Sequence, residues 1–364
     1  MAESVIQPEY KAYARLSRDH TQETARVAAA LDTLLCAARD VESPLLRDVK
    51  PVIAVALKWK FDFLAKTLDS PFAIERDLTY WTDLLRMLKT LGEQRWFELA
   101  LAGAPAMDVW ERTAHGFDVG WTTTTQGERF RASREIARER LAQILGMLGG
   151  EAWVRGKEIL DSGCGPGRYI DLLRHLAPRR IVGLDQGSAL VDTLRDRFRG
   201  VPGVQIAHGT CEKLEFADVS FDFVISNGVM HHTRSDLRTM LADHCRVLRP
   251  GGVMFIMLVG KGGLELKMWQ FLRTFLYDVP IESMLQRFGQ AMSPLRLQGI
   301  VDHMYGEYQE TDRAEFEAWC CPLFKRIERV PGIDGLDVTP EIYRDDPYFA
   351  ARFGCGHLRY LCHK

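Results

Sequence analysis

The chain has 364 residues, and its 47 basic and 49 acidic side chains give a formal net charge of −2. Proteins that grip a nucleic-acid backbone usually carry a clear basic excess, so this balance argues against a DNA or RNA substrate. Hydrophobic residues make up 46% of the chain and charged residues 26%, which is typical of a globular protein with a packed core. The length corresponds to one large or two modest domains.

The compartment is predicted from the cysteines and from the apolar stretches. Eight cysteines occur without a CxxC pair, and the first ten residues lack a signal pattern. The longest apolar stretches, 52–57 and 253–259, are far shorter than the roughly 20 residues that span a bilayer. We therefore expect a soluble, cytoplasmic protein with reduced thiols and no membrane partner.

The N-terminal third reads as helical. Apolar residues recur at helical spacing over 21–39, 45–68 and 77–103, with few glycines or prolines and no strand-like alternation. We predict that 1–115 forms a helical cap or dimerisation region, which leaves a homodimer as a possible assembly. A linker with four threonines over 116–127 is expected to follow, and then a charged amphipathic helix.

Strands and helices alternate in the central part of the chain, which indicates parallel βαβ units and a doubly wound sheet. The ligand of such a sheet binds at the carboxyl ends of the strands. The five predicted strands cover 157–161, 180–185, 204–208, 221–226 and 252–258.

A helical, aromatic segment then interrupts the sheet, and two further strands are predicted over 324–330 and 357–362. Before the first of these two strands, Asp312 and Glu315 have the spacing of a capping box at the start of a helix over 313–320. The fold class predicted is therefore α/β, a Rossmann-like doubly wound sheet of seven strands with an N-terminal helical region. The predicted divisions are the helical cap 1–115, the core 116–260, a lid insert 261–310 and the closing elements 311–364.

The segment 158–167, Glu-Ile-Leu-Asp-Ser-Gly-Cys-Gly-Pro-Gly, runs from a strand through three glycines to the start of a helix. Glycines allow a tight turn and a close approach of the backbone to a ligand. A dinucleotide site requires G-x-G-x-x-G, whose third glycine would fall on Arg168. The observed D-x-G-x-G-x-G instead suits a ligand with a charged amino-acid tail, whose ammonium group Asp161 can meet.

Further signals lie at the ends of the next strands. Asp185 ends the second strand, where a carboxylate can accept hydrogen bonds from both hydroxyls of a ribose. The stretch 208–216 follows strand three, 220–233 contains strand four with His231 and His232, and Arg-Pro-Gly-Gly at 249–252 precedes strand five.

In this order the motifs resemble those of the class I S-adenosylmethionine (SAM)-dependent methyltransferases, especially the group with the ubiquinone and menaquinone C-methyltransferases. The resemblance covers about 157–260 and implies that SAM is the cofactor. It assigns the methionine end of SAM to Asp161, Gly163, Cys164, Gly165 and Gly167. It assigns the ribose to Asp185, with Gln186 beside it, and the adenine to Thr210 and Cys211. Asn227 and Gly228 are placed near the methionine. The chain departs from the family at Thr210-Cys211, where Asp-Ala is common, so the contact with the adenine amino group is lost or passes to the Thr210 hydroxyl.

Candidate catalytic residues follow strand four and the insert. His232, and less strongly His231, are candidates for a general base, although either can instead pack or orient the loop. Tyr305 is a third catalytic candidate, and Tyr305 and Tyr308 are expected to bind an acceptor or surround a sulfonium, or else to belong to the core. Trp121 and Arg129 are expected to close the cofactor pocket.

No metal is expected. Cys355, His357, Cys362 and His363 lie close in the sequence, but their spacing matches no usual zinc pattern. Asn-Gly-Val-Met at 227–230 also lacks the Asp/Asn-Pro-Pro-aromatic motif of enzymes that methylate amino groups of nucleic acids.

The predicted function is methyl transfer from SAM to a small molecule, as in secondary metabolism, with S-adenosylhomocysteine as the product. Two alternatives remain open. The first is an enzyme of the same fold that cyclises or eliminates the aminocarboxypropyl arm of SAM and releases methylthioadenosine. The second is a SAM-binding interaction protein without catalysis.

Overall fold

A computed structural model of the chain describes residues 21–40, 44–67, 74–75, 77–83, 85, 107–123, 125, 127–288, 294–333, 337–346 and 348–364. The predicted helix over 77–103 is helical from 77 to 83, and its part beyond residue 85 lies outside the described residues. The other two N-terminal helices are confirmed as α1 (Thr21–Arg39) and α2 (Pro44–Thr67).

The linker predicted over 116–127 is wrong in its first half, because α3 (Val109–Thr122) runs through it. Asp108 fixes the start of α3, because its side chain accepts hydrogen bonds from the backbone N–H groups of Trp110 and Glu111. The side chain of Glu111 accepts in turn from the backbone N–H of Asp108, which completes a capping box. After a short break α4 (Gly127–Met147) carries the chain to the sheet.

A seven-stranded sheet forms the centre of the fold, with the strand order β3-β2-β1-β4-β5-β7-β6. All neighbouring pairs are parallel except those that involve β7, which is antiparallel to both of its neighbours. The strands are β1 (Glu158–Ser162), β2 (Arg180–Asp185), β3 (Val204–His208), β4 (Phe221–Asn227), β5 (Leu248–Val259), β6 (Arg326–Arg329) and β7 (His357–His363). The predicted Rossmann-like α/β fold of seven strands is confirmed.

Helices cover both faces of this sheet. They are α5 (Arg168–Leu173), α6 (Ser188–Arg197), α7 (Leu237–Val247), α8 (Gly263–Phe275), α9 (Ile281–Phe288), α10 (Pro294–Met304), α11 (Arg313–Cys320) and α12 (Phe349–Phe353). Successive strand residues point to opposite faces, so Leu160 belongs to the core cluster under α7 and α11, and Ile159 belongs to the one under α4, α5 and α6. The capping box of α11, formed by Asp312 and Glu315, is present as predicted.

The N-terminal helices and the insert after β5 share a third core. Buried residues of α1 and α2, such as Leu34 and Ile53, belong to one cluster with Leu272 of α8 and Met304 of α10. The two regions, far apart in the chain, therefore form one helical layer, which lies at the side of the sheet where β5 ends. The four divisions predicted from the sequence remain predictions.

Candidate functional site

The carboxyl ends of β1, β2 and β4 meet at one edge of the sheet. Asp161 of β1 is paired in register with Gly183 of β2 and with Ile225 of β4, so the chain reverses its direction of winding between β1 and β4. Ligands of doubly wound sheets bind in the crevice outside such a reversal. The predicted cofactor residues after β1, β2 and β4 are all brought to this edge.

The glycine loop after β1 needs its glycines for conformation and for space. Gly163 has φ +76°, and a Cβ there would lie 2.3 Å from Cγ1 of Val229, in the loop after β4. Gly165 has φ +49°, and a Cβ there would face the indole of Trp121 at 3.8 Å. Only glycine fits the first position without strain, and at the second position Trp121 lies against the loop.

Asp185 connects the loops after β1 and β2. Its Oδ2 accepts from the N–H of Gly165 at 2.9 Å, and its Oδ1 accepts from the N–H of Gly187 at 3.1 Å. Burial raises the pKa of Asp185, and these two backbone donors counter part of that rise. Each carboxylate oxygen has a second lone pair, so the group fits two ribose hydroxyls in addition to its backbone donors.

Asp161 is buried, with 1% of its surface exposed, and its Oδ2 has no hydrogen-bond partner. Burial raises its pKa to about 7, and Arg168 opposes that rise. Oδ1 of Asn227, also buried, has no partner either. Buried acceptors without donors are rare in folded proteins, and acceptors at this edge fit the positively charged ammonium group of an amino-acid ligand.

Arg168 begins α5 directly after the glycine loop, and its guanidinium carbon lies 4.8 Å from the centre of the Trp121 ring. The sequence distinguishes Arg168, because this residue occupies the position at which a dinucleotide-binding motif has its third glycine. Arg129 lies in α4, and its side chain is outside the described part of the structure.

The segment predicted to flank the adenine follows β3. The hydroxyl of Thr210 accepts from the N–H of Glu212 at 3.1 Å, so this side chain shapes its own turn. Cys211 is buried, and burial raises its pKa to about 12. The N–H of Gly209 donates to the carbonyl of Asp185 at 2.9 Å, which holds the turn beside the candidate ribose site. Beside Asp185, the carbonyl of Gln186 contacts His208 Nε2 at 3.1 Å.

His231 and His232 form a short 3₁₀ turn after β4. Nδ1 of His232 lies 2.6 Å from the carbonyl oxygen of Glu307, and because a carbonyl only accepts, Nδ1 carries the proton. Burial lowers the pKa of His232 to about 4, so the ring is neutral near pH 7 and its Nε2 is unprotonated. His231 is 1% exposed, its Nδ1 has no partner, and burial holds its pKa well below the ordinary value.

The two predicted tyrosines have different surroundings. The hydroxyl of Tyr308 donates to the carbonyl of Leu266 at 3.0 Å, and its ring stands perpendicular to the His232 ring with centres 6.3 Å apart. The hydroxyl of Tyr305 donates to the carbonyl of Val279, inside the shared helical layer. Burial raises the pKa of both hydroxyls. Tyr308 therefore adjoins His232, whereas the Tyr305 hydroxyl is engaged away from it.

Two residues at this edge had no signal in the sequence. Phe117 of α3 packs against His232, with ring centres 4.7 Å apart. Asp118, its neighbour, accepts from the N–H of Leu190 at 2.9 Å and so caps α6, whose own cap position is Gly187. A glycine cap has no side-chain acceptor, so a distant helix supplies the missing one.

The described residues hold neither a cluster of metal ligands nor a helix that could span a membrane. No group of three or more His, Cys, Asp or Glu side chains is placed to hold a metal ion among them. His357 instead lies 3.6 Å from Asp337, and none of the eight cysteines, all within the described residues, forms a disulfide. No described helix combines the length and the apolar character needed to cross a bilayer.

Comparison with known proteins identifies the core of the chain. Residues 160–256 match the model of a methyltransferase domain family, which is about a quarter of the chain. Over 101 residues the chain is 39% identical to a probable S-adenosylmethionine-dependent methyltransferase of Mycolicibacterium smegmatis, covering 28% of this chain and 37% of that protein. The predictions of a SAM-dependent methyltransferase domain and of SAM as its cofactor are confirmed for this segment.

Two other matches extend beyond that segment. A fatty-acid O-methyltransferase of Mycolicibacterium smegmatis is 32% identical over 139 residues, 38% of this chain and 48% of that protein. A putative methyltransferase solved in complex with the Trm112 methyltransferase activator of Haloferax volcanii is 18% identical, with a TM-score of 0.42 over 72% of this chain and 99% of the solved one. The chain spans about a third to a half of the length of the curated relatives it matches.

Proposed function

We propose that the whole chain is an enzyme that transfers the methyl group of SAM to a small-molecule acceptor and releases S-adenosylhomocysteine. The observation that carries the proposal is the buried, unpartnered Oδ2 of Asp161, at the end of β1 in a segment that matches a methyltransferase domain. Bound SAM would supply the electrophilic methyl group. The net charge of −2 and the fatty-acid O-methyltransferase among the relatives support a small acceptor.

The cofactor-side residues bind and orient. Asp161 would receive the ammonium group and become ionised by it, since an adjacent positive charge favours the carboxylate. Asp185, held by two backbone donors, would accept hydrogen bonds from the ribose hydroxyls. Trp121 would cover the glycine loop. Thr210, Cys211, Asn227 and Gly228 keep the roles that the resemblance assigns them.

On the acceptor side, His232 is the proposed base. Its Nδ1–H is fixed by the carbonyl of Glu307, which leaves the lone pair of Nε2 to take a proton from an acceptor hydroxyl or amine. His231, buried and with an unpartnered Nδ1, would orient the turn, and Tyr308 would form a wall of the acceptor site. Tyr305 as a catalytic residue, the closer likeness to the quinone C-methyltransferases and a homodimer remain predictions.

The product of the reaction tests the proposal. The purified chain is incubated with SAM, alone and with pools of small hydroxylated, amino and fatty-acid compounds, and nucleosides are followed by mass spectrometry. S-adenosylhomocysteine that forms only with an acceptor is the expected result. Methylthioadenosine formed from SAM alone would contradict methyl transfer and establish the cyclisation or elimination alternative.

The base is tested by His232→Gln, whose side-chain amide can still donate to Glu307 but cannot take up a proton. General-base catalysis contributes about 100-fold or more to a rate, so we expect kcat to fall by that factor with the KM for SAM unchanged. His175→Gln, at an exposed histidine after α5, is the matched control. Equal kcat in both variants would remove His232 from the role of base.

A further inference from the structure

Arg273 is a buried cation with unmet hydrogen-bond donors. It lies on α8 with 4% of its surface exposed, and its Nη2 is 2.9 Å from Oε1 of Glu307. Its Nε and Nη1 are buried and have no hydrogen-bond acceptor. A guanidinium has five N–H donors, and leaving the buried donors of a charged group unmet is energetically unfavourable. These two donors are therefore available to a further acceptor.

The surroundings of Arg273 are aromatic. Its guanidinium carbon lies 4.2 Å from the centre of the Tyr308 ring, and Trp269 packs edge-on to Tyr308 with centres 5.6 Å apart. Val259, Leu266, Trp269 and Tyr308 form a small apolar cluster separate from the three larger cores. Trp269 also stacks on His303, whose buried Nδ1 has no partner. Unmet polar groups thus lie against two members of this cluster, Tyr308 and Trp269, which together form an apolar wall.

This wall borders the candidate catalytic edge. Val259 is the last residue of β5, and β5 lies beside β4 in the sheet. The carbonyl of Glu307, whose carboxylate pairs with Arg273, fixes His232. Arg273 is also close enough to His232 to help lower the pKa of that ring. A ligand that contacts Arg273 would therefore extend towards His232.

The charges around Arg273 favour an anion. Arg112 donates to the carbonyl of Arg273 and adds a second cation, and Lys58 is near His303. Burial keeps His232 and His303 neutral, so Arg273, Arg112 and Lys58 supply the positive charge here. Glu307 is the carboxylate paired with Arg273, and its side chain is 29% exposed, so it can turn towards solvent.

From this arrangement we propose that Arg273 binds the carboxylate of the acceptor substrate. The apolar or aromatic part of that acceptor packs against Trp269 and Tyr308, and its reactive atom lies towards His232. Arginine is the side chain best suited to a carboxylate, because its donors form a rigid planar fork. This specificity role rests on the proposed methyl transfer.

Calorimetric titration of the full chain with benzoate and with benzamide, its uncharged analogue, tests the subsite. We expect benzoate to bind at least tenfold more tightly than benzamide. We expect Arg273→Gln to lose tenfold or more of the benzoate affinity, and Arg273→Lys to lose less. Lys267→Gln makes the same charge change at an exposed position of α8 and should leave the affinity for benzoate unchanged.

A second variant guards against misfolding of Arg273→Gln. Glu307→Gln removes the competing carboxylate while its backbone carbonyl still holds His232, and it should strengthen benzoate binding at least threefold. The proposal is overturned if benzoate does not bind at millimolar concentration, binds no better than benzamide, or is unaffected by both variants. Tighter binding of phenyl phosphate than of benzoate would overturn the choice of a carboxylate.

These titrations are made with and without saturating S-adenosylhomocysteine and require no turnover. Benzoate binding that depends on Arg273, in a protein that forms methylthioadenosine from SAM alone, would refute methyl transfer and keep the subsite. Methyl transfer without benzoate binding would refute the subsite and keep the enzyme. The two failures are therefore distinguishable.

Discussion

The two halves of the candidate site are built in different ways. The cofactor half, at the ends of β1 and β2, consists of residues close in the chain, and backbone N–H groups hold its central carboxylate, Asp185. The acceptor half gathers side chains from α3, the turn after β4, α8 and the end of the insert: Phe117, His232, Arg273 and Tyr308.

This difference has a physical basis. A tight glycine turn between a strand and a helix is specified by local conformation, so its motif is visible in a short window of sequence. A pocket wall made of side chains from distant helices is specified by packing, which leaves no local pattern. Substitutions within the loops after β1 and β2 should therefore change the affinity for the cofactor. Substitutions in the acceptor half should change acceptor binding and leave the affinity for the cofactor unchanged.

The largest effect is expected at Asp185. Asp185→Ala removes two charge-assisted hydrogen bonds to the backbone and the acceptors for the ribose, and each such bond contributes about 1.5–3 kcal/mol. The dissociation constant of S-adenosylhomocysteine, measured by calorimetry, should rise on the order of 100-fold. Asp192→Ala, at an exposed carboxylate of α6, is the control. A cofactor affinity that survives Asp185→Ala would show that the loops do not define this half.

A tenfold effect is expected from pH. The pKa of buried Asp161 is about 7 without ligand, and the ammonium group of the cofactor favours the ionised form, so binding below pH 7 releases a proton. The affinity for S-adenosylhomocysteine should therefore rise about tenfold from pH 6 to pH 8. Because burial raises the pKa of Asp161 above its value in the unfolded chain, the folded protein holds this proton more tightly. The free energy of unfolding of the ligand-free protein should therefore fall as the pH rises towards 7.

Asp161→Asn is the matched variant for this titration, because it keeps the shape of the side chain and removes the ionisation. Its binding should be weaker and nearly independent of pH between 6 and 8. If the slope persists in Asp161→Asn, another group, such as Asp185, carries the proton.

The smallest effect is expected at Asp118, where a helix distant in the chain reaches the cofactor half. Asp118→Ala removes the cap of α6 and loosens the turn that contains Gly187, at a cost of about 1 kcal/mol. Cofactor affinity should fall about three- to fivefold, and Asp118→Asn, which keeps the acceptor oxygen, should restore it. Asp108→Ala, which uncaps α3 itself, is the control. Equal losses in Asp118→Ala and Asp118→Asn would mean that charge and not capping matters.

Much of the fold was predictable because its signals are local. The alternation of short strands and helices predicted seven strands, and β2 and β3 have the predicted bounds. The failure at 116–127 has a physical reason: glycine and threonine disfavour an isolated helix, but the capping box at Asp108 and packing against the insert stabilise one there. At Gly120, for example, the space for a Cβ is filled by Val301.

The sequence by itself determined the doubly wound sheet, the glycine loop and the carboxylates Asp161 and Asp185, because each depends on conformation within a few residues. Only the tertiary structure decided that Tyr308 adjoins His232 while the Tyr305 hydroxyl turns into the helical layer, although three positions separate them. It also placed Phe117, Asp118 and Arg273 beside the candidate site. The contacts of Phe117 and Asp118 join segments more than 70 residues apart, and Arg273 on α8 meets Glu307 and Tyr308 beyond α10. Contacts of such range arise from packing and not from local pattern.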